Sequence, residues 1–305
     1  MNKHIITKIK NNFNRDGLKK IPSFLAIKFT QKSFKFFEKY LKLHLTPVHF
    51  YSPVPTTYEL NEQIYNKIFD CAGIDFNINE QMTYLDQVHS KYCDEYKPAV
   101  NLNRISQVDS FILYSIIREK KPKIMIEIGS GESTKVSLAA LNVNESEGVH
   151  CKFYAIEPYP EKFLKEIKKQ NFNLIESVLQ DVDINMLKSA DLLFIDSSHV
   201  SKIGSDVNYE ILEIIPKLKV GAVVHWHDIM IPTNYWKRWI DDGNMFWNES
   251  YMVHAFMLFN NSYKVIWSSR YLQINKPDEL KKRFSYFNLE DYNQQITSFW
   301  IERIK

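Results

Sequence analysis

Residues 123–134 read KIMIEIGSGEST, a short apolar run that ends on two glycines and then on residues that open helices. Five such runs follow one another along the chain. Lys123–Ile128, Lys152–Ile156, Asn173–Val178, Asp191–Ile195 and Ala222–His227 each read as a strand. The segments between them carry apolar residues at helical spacing, as in Val207, Ile211, Ile214, Ile215 and Leu218. Strands alternating with helices predict a doubly wound α/β fold, a parallel sheet covered on both faces by right-handed crossovers. A helix near Ser250–Phe259 then precedes two further strand candidates, Tyr263–Ser268 and Ile296–Ile301. Upstream, residues 57–97 and 104–119 read mainly helical. A proline-rich stretch from Pro47 to Pro55 separates them from the N-terminal arm, because proline favours extended backbone. The expected organisation is a helical extension with a basic arm over residues 1–100 and an α/β domain over residues 101–305.

In such sheets a ligand sits at the carboxyl ends of the strands, so the chemistry is sought just after each one. After the first strand, Gly129 and Gly131 let the backbone turn tightly and approach a ligand with no Cβ in the way. Ser133 and Thr134 suit the opening of the next helix, whose N–H groups face an anionic group. Glu157 ends the second strand and can accept hydrogen bonds from both hydroxyls of a ribose. Asp181 follows the third, where a side-chain oxygen can accept from an adenine amino group. Three suitable groups at three consecutive strand ends point to a nucleoside. Glu127 precedes the first glycine, and Thr134 replaces the third glycine of a dinucleotide fingerprint. An acid there suits the cationic methionine end of S-adenosylmethionine better than a pyrophosphate, so the pattern favours that cofactor over NAD.

The segments IMIEIGSGEST, AIEP, LLFIDSSHV and VVHWHDI, with the closing SFWIER, resemble a bacterial family of class I S-adenosylmethionine-dependent methyltransferases. The likeness runs from about His49 to the C-terminus. It implies a Rossmann-like seven-stranded sheet of order 3-2-1-4-5-7-6, its last pair antiparallel. It also implies that Glu127, Gly129, Gly131, Glu157 and Asp181 hold the cofactor, with Ser133 and Asp196 beside it.

The fourth strand ends in Asp196-Ser197-Ser198-His199 and the fifth in His225-Trp226-His227-Asp228. In a sheet ordered 1-4-5 these ends are neighbours, about 5 Å apart. Asp196, His227 and Asp228 are expected to converge on a divalent metal, with His225 in reserve. His199 is expected to take the proton of an acceptor hydroxyl, as imidazole does near neutral pH. This part resembles the metal-dependent O-methyltransferases, including those that act on macrolide sugars, in which Asp-x-x-His follows the fourth strand and a pair of acids the fifth. Asp196 and His199 match that pattern. His227 stands where an acid is expected, which shifts the balance from magnesium towards manganese, iron or zinc. The resemblance implies a small sugar, free or nucleotide-linked, as acceptor, in bacterial surface polysaccharide biosynthesis. Tyr235, Trp236, Trp239, Phe246, Trp247 and Tyr251 offer rings that either stack on sugar faces or build core. Two other functions remain open: a non-catalytic scaffold of this shape in glycan assembly, and an NAD-dependent oxidoreductase.

The composition, 45% hydrophobic and 25% charged over 305 residues, is that of a globular protein. No run approaches the roughly 18 apolar residues of a membrane span. Lysines from Lys3 to Lys28 leave no secretory apolar region. Cys71, Cys93 and Cys151 form neither a disulfide framework nor a CxxC pair, so a cytoplasmic protein is expected. Residues 1–45 carry eleven basic and two acidic side chains, whereas the remainder carries a net charge of −6. This arm reads either as a solvated helical extension or as a surface for peripheral contact with a membrane or partner; no nucleic-acid partner is expected. S-adenosylmethionine is expected to bind and NAD not to, and Gly131→Trp or Glu157→Ala to weaken that binding sharply. Calorimetry checks this: no heat with S-adenosylmethionine or its demethylated product removes the cofactor assignment.

Overall fold

The computed structural model describes residues 21–97, 102, 104–285 and 295–305. The chain divides into two compact units, Met1–Asn61 and Glu62–Lys305. In the first, helix Ile21–Phe36 runs on into a single π turn, Phe37–Leu41, and stops at Lys42, which adopts the left-handed conformation (φ 56°). Leu25, Phe29, Phe36, Tyr40, Leu41 and Leu43 are all exposed, interleaved with Lys28, Lys32, Lys35, Lys39 and Lys42. The expected basic arm is thus helical over its described part, with apolar and cationic side chains in solvent together. Its first twenty residues lie outside the described ones.

The second unit holds one mixed sheet. Its strands are β1 (Ile124–Ile128), β2 (Lys152–Ile156), β3 (Phe172–Ile175), β4 (Leu192–Ile195), β5 (Val223–Trp226), β6 (Tyr263–Ser268) and β7 (Phe299–Arg303). They lie in the order β3-β2-β1-β4-β5-β7-β6, with β7 antiparallel to both its neighbours. This is the Rossmann-like order expected. Each face of the sheet buries its own core. Met125, Phe153, Leu192, Phe194, Val223 and Trp300 lie on one face under helices Gln107–Lys120 and Glu132–Ser146. Ile126, Leu193, Val224 and Trp226 lie on the other, under Val207, Ile211 and Ile214 and helix Glu249–Met257. Period-2 alternation of side chains along each strand produces this division.

Three sequence expectations shift. The expected domain boundary stood at residue 100, but the units separate after Asn61. Helix Ile78–Tyr92 buries Leu85, Val88 and Tyr92 in the core of the α/β unit, which explains the shift. The stretch 57–97 is mostly loop, with helix only at Glu62–Tyr65 and Ile78–Tyr92. The last strand begins at Phe299 rather than Ile296, because the amides of residues 297 and 298 turn to a side chain instead of to a neighbouring strand.

That side chain is Asp109, fully buried in helix Gln107–Lys120. The helix starts at Ser106, whose hydroxyl accepts from the Asp109 amide at 3.0 Å, the usual N-cap bond. The Asp109 carboxylate accepts from the amides of Thr297 (2.8 Å) and Ser298 (3.4 Å) and from the Ser269 hydroxyl (2.5 Å). Asp109→Ala would leave these buried donors unpaired at about 1–3 kcal/mol each. The expected loss of unfolding free energy is about 3 kcal/mol or more, and about half that for Asp109→Asn, measured by urea denaturation.

Candidate active site

The same alternation that builds the core aims the functional residues. On the face of the sheet below helix Gln107–Lys120, Phe194 pairs with His225 and Glu127 with Ala155 and Phe194. Two residues further on, past the strand ends, Gly129, Glu157, Asp196 and His227 emerge on that face. Backbone bonds carry the sheet to this point, Asp196 N to Ile128 O at 2.8 Å and His227 N to Ile195 O at 2.9 Å.

A cleft of about 580 Å³, open mouth included, lies over these ends. It is lined by Arg104, Ile105, the loop Gly129–Ser133, Glu157, Phe194, Asp196 and His227. The two glycines play different parts. Gly129 has φ +77°, and a Cβ there would lie 1.7 Å from the Asp196 carbonyl oxygen, so glycine lets β1 and β4 close up. A Cβ on Gly131 would meet nothing within 4 Å. Gly131 caps helix Glu132–Ser146 with no side chain over its first N–H groups, which leaves room there for a ligand. Beneath the loop, Glu127 is fully buried and accepts from the hydroxyls of Ser133 and of Thr134, the latter at 2.8 Å. Burial pushes its pKa up to about 8, against the pull of those two bonds. Ser133 therefore acts on Glu127 as well as lining the cleft. Glu157 accepts from the amides of Ser130 (3.3 Å) and Tyr159 (2.8 Å), which fixes its carboxylate at the cleft wall. Asp181 ends a short turn, Leu179–Asp181, is exposed, and is not among the residues lining the cleft.

At the far side of the cleft, Asp196, His199 and Asp228 bring one ligand atom each to within 4.8 Å of one another. His199 Nε2 faces Asp196 Oδ1 at 3.2 Å and Asp228 Oδ2 at 3.8 Å. Its Nδ1 is bonded to Glu249 Oε2 at 2.8 Å. The start of helix Glu249–Met257 is clamped to the same loop, since the amides of Asn248 and Glu249 both donate to the His199 carbonyl. Trp247 covers the imidazole with ring centroids 4.4 Å apart. Both His199 (φ 58°) and Asp228 (φ 56°) sit in the left-handed region, a strain of order 1–3 kcal/mol each that persists only where surroundings over-determine it. For Asp228 the surroundings are Thr297, whose hydroxyl donates to the carboxylate at 3.0 Å.

The charges are coupled. Burial would lower the His199 pKa, but the bonds to Asp196 and Glu249 outweigh it and hold the imidazole well above its ordinary value. Burial would raise Asp196, yet His199, His227 and Arg104 hold it below the usual carboxylate range. Glu249 is raised by burial, and Glu210, buried behind it, is raised well above its ordinary value for the same reason.

Of the two remaining histidines, His227 lies beside the group, its Nε2 3.8 Å from Asp228 Oδ1, and lines the cleft. His225 is a core residue. It is sandwiched by Phe194 (4.0 Å) and Trp300 (4.4 Å), bonded to Ser298, and pushed well below its ordinary pKa by burial. The imidazole that the structure gathers with the two carboxylates is thus His199. Glu249 and Arg104 were not singled out as site residues from sequence, and Trp247 was read only as one of six rings that stack on a sugar or build core. Arg104 and Glu249 stand in no motif, 92 residues before and 50 residues after Asp196 and His199, respectively, and only folding brings them in.

Residues 126–229, about a third of the chain, match a family model described as a methyltransferase domain. No curated protein sequence matches the chain. Among solved structures, the SAH-bound methyltransferase PaMTH1 of Podospora anserina is 13% identical, with 74% of this chain and 88% of that one covered and a TM-score of 0.42. The O-methyltransferase of Bacillus cereus in complex with SAH is 10% identical over 92% and 100% of the two chains, with a TM-score of 0.40. TomG of Streptomyces achromogenes, an O-methyltransferase of tomaymycin synthesis in complex with SAM, is 11% identical over 73% and 89%, with a TM-score of 0.41.

The two glycines make a sharp contrast for mutation. Gly129→Ala should lower stability by more than about 2 kcal/mol, because strain at positive φ adds to the overlap with β4. Gly131→Ala should change stability by under about 1 kcal/mol, since its Cβ meets open space. Thermal melts of the two variants side by side check the difference.

Proposed function

We propose that the protein transfers the methyl group of S-adenosylmethionine to a hydroxyl of a small acceptor, a sugar or nucleotide-linked sugar of bacterial surface polysaccharide. One observation carries this: the glycine-loop cleft walled by Glu157 opens directly onto the Asp196, His199 and Asp228 group, and apart from Arg104 and Ile105 both are built within the stretch that matches a methyltransferase domain. The cleft side holds the cofactor. Glu157 accepts from its ribose, the open space at Gly131 admits it, and Asp196 turns negative charge towards its sulfonium end, while Glu127 holds the loop from beneath through Ser133 and Thr134. Methyl transfer then depends chiefly on aligning the acceptor oxygen, the methyl carbon and the sulfur.

The acceptor hydroxyl must lose a proton as it attacks. His199 is oriented for this by Glu249, the arrangement by which a carboxylate fixes an imidazole acting as base. The same geometry favours a second role. Two carboxylates and an imidazole whose other nitrogen is held by a carboxylate form a donor set that fits a divalent cation. Asp196, His199 and Asp228 would hold it, with His227 beside them, and it would stabilise the alkoxide as it forms. The exposed arm is read as a peripheral contact with an anionic membrane or a partner.

His199→Ala should leave cofactor affinity unchanged and lower turnover by roughly 10²–10⁴. Chelation followed by elemental analysis separates the two roles. Activity lost on chelation and restored by manganese, iron or magnesium, with metal absent from His199→Ala, assigns His199 as a ligand. Full activity in the chelated wild type removes the metal and leaves the base. A His199→Ala enzyme with normal turnover removes both.

A further inference from the structure

The acceptor side carries a positive charge that neither the cleft nor the Asp196 group uses. Arg270 lies in helix Ser269–Asn275, directly after β6, and is partly buried. Desolvation pulls its pKa down to about 10. An arginine that gives up hydration is ordinarily repaid by a carboxylate, but among the described residues no acid pairs with Arg270. Its Nε donates to Thr233 Oγ1 at 3.3 Å and its Nη1 to Gln273 Oε1 at 2.8 Å, both neutral acceptors. Five N–H groups are available on a guanidinium, so most of its donor capacity is unspent. Its Cζ lies 5.4 Å from the centre of the Trp236 ring. Arg238 approaches the same ring at 5.5 Å and donates to Gln295.

This group is joined to the reaction centre by a short path of rings. Trp236 packs on Trp239 at 4.7 Å, Trp239 on Trp247 at 5.1 Å, and Trp247 on His199 at 4.4 Å. Gln295 stands two residues before Thr297, the residue bonded to Asp228, and two residues span at most about 7 Å. The four steps from Arg270 to His199 bound their separation at about 20 Å, within the reach of a nucleotide-linked sugar or a short acidic glycan.

We propose that Arg270, with Trp236 and Arg238 beside it, forms an oxyanion-binding subsite, and that the acceptor accordingly carries a phosphoryl or carboxylate group a short distance from the methylated hydroxyl. The proposal rests on the methyl-transfer reading above and names its substrate class. A guanidinium binds either oxyanion through two parallel N–H bonds, stronger than bonds between neutral groups. The Trp236 indole, approached by both guanidinium groups, holds the two cations beside one another.

The test uses the full chain saturated with S-adenosylhomocysteine, in EDTA so that no anion binds through a cation. Calorimetric titrations with inorganic phosphate, pyrophosphate and acetate are run on the wild type, R270Q and R270K. At least one anion is expected to bind the wild type, tenfold or more weaker to R270Q and several-fold weaker to R270K, with S-adenosylhomocysteine affinity equal in all three. Phosphate or pyrophosphate bound more tightly than acetate assigns a phosphoryl group, and the reverse order a carboxylate. The subsite is overturned if the wild type binds none of the three at about 20 mM, well above the millimolar range of weak specific sites. It is also overturned if folded R270Q binds as the wild type does. Should R270Q fail to fold, R270K decides, because an unchanged affinity there excludes the guanidinium fork. Failure of the wild type to bind S-adenosylhomocysteine would instead count against the methyl-transfer reading.

Discussion

A single buried carboxylate holds the two halves of the site in register. Asp109 accepts hydrogen bonds from the backbone of residues 297 and 298 and from Ser269. It thereby ties the helix that covers the sheet to the entry of β7 and to the helix that follows β6. Thr297 passes the constraint on. Its hydroxyl donates to the Asp228 carboxylate and its carbonyl accepts from the Ile229 amide, which pins the end of β5. An unpaired buried charge is among the most expensive features a core can hold, and several directed donors offset it here. Two of those donors are backbone amides, so the main chain at Thr297 is fixed, and the short Thr297 hydroxyl carries that position to Asp228.

The site built on this frame concentrates charge. Asp196, Asp228 and Glu249 surround one imidazole, and Glu210 lies buried behind Glu249. In low dielectric such groups strengthen one another's influence, so His199 is drawn up in pKa while Asp196 is drawn down. The left-handed backbone at His199 and Asp228 belongs to the same economy of strain. Both residues are held where a relaxed chain would not place them, and both point at the same small volume. Neither feature improves folding. Both suit a centre that must hold positive charge.

Asp196 links the two sides of the cleft. It lines the cleft together with Gly131 and Glu157, and it meets His199 at the cleft's far side. Its neighbour across the sheet is His227, one register step beyond the Phe194 and Ile195 pairings. Adjacent strand ends thus set Asp196 and His227 side by side, at the spacing of a single strand.

Much of this was legible in the chain before folding. The alternation of short apolar runs with helical stripes determined the parallel sheet, and the glycines and acids at strand ends marked Gly129, Gly131, Glu157 and Asp196, which line the cleft, because both signals are local. Asp196, His199 and Asp228 could be named from motifs next to strands for the same reason. What tertiary structure alone decided depends on residues far apart in sequence. Glu249 reaches His199 across 50 positions, Asp109 reaches Thr297 across 188, and Arg270 meets Trp236 only because β6 and the loop after β5 converge. His225 and His227 look alike in sequence, two positions apart and on one face. Packing separates them: His225 is shut between Phe194 and Trp300, whereas His227, one step past the end of the strand, emerges at the cleft.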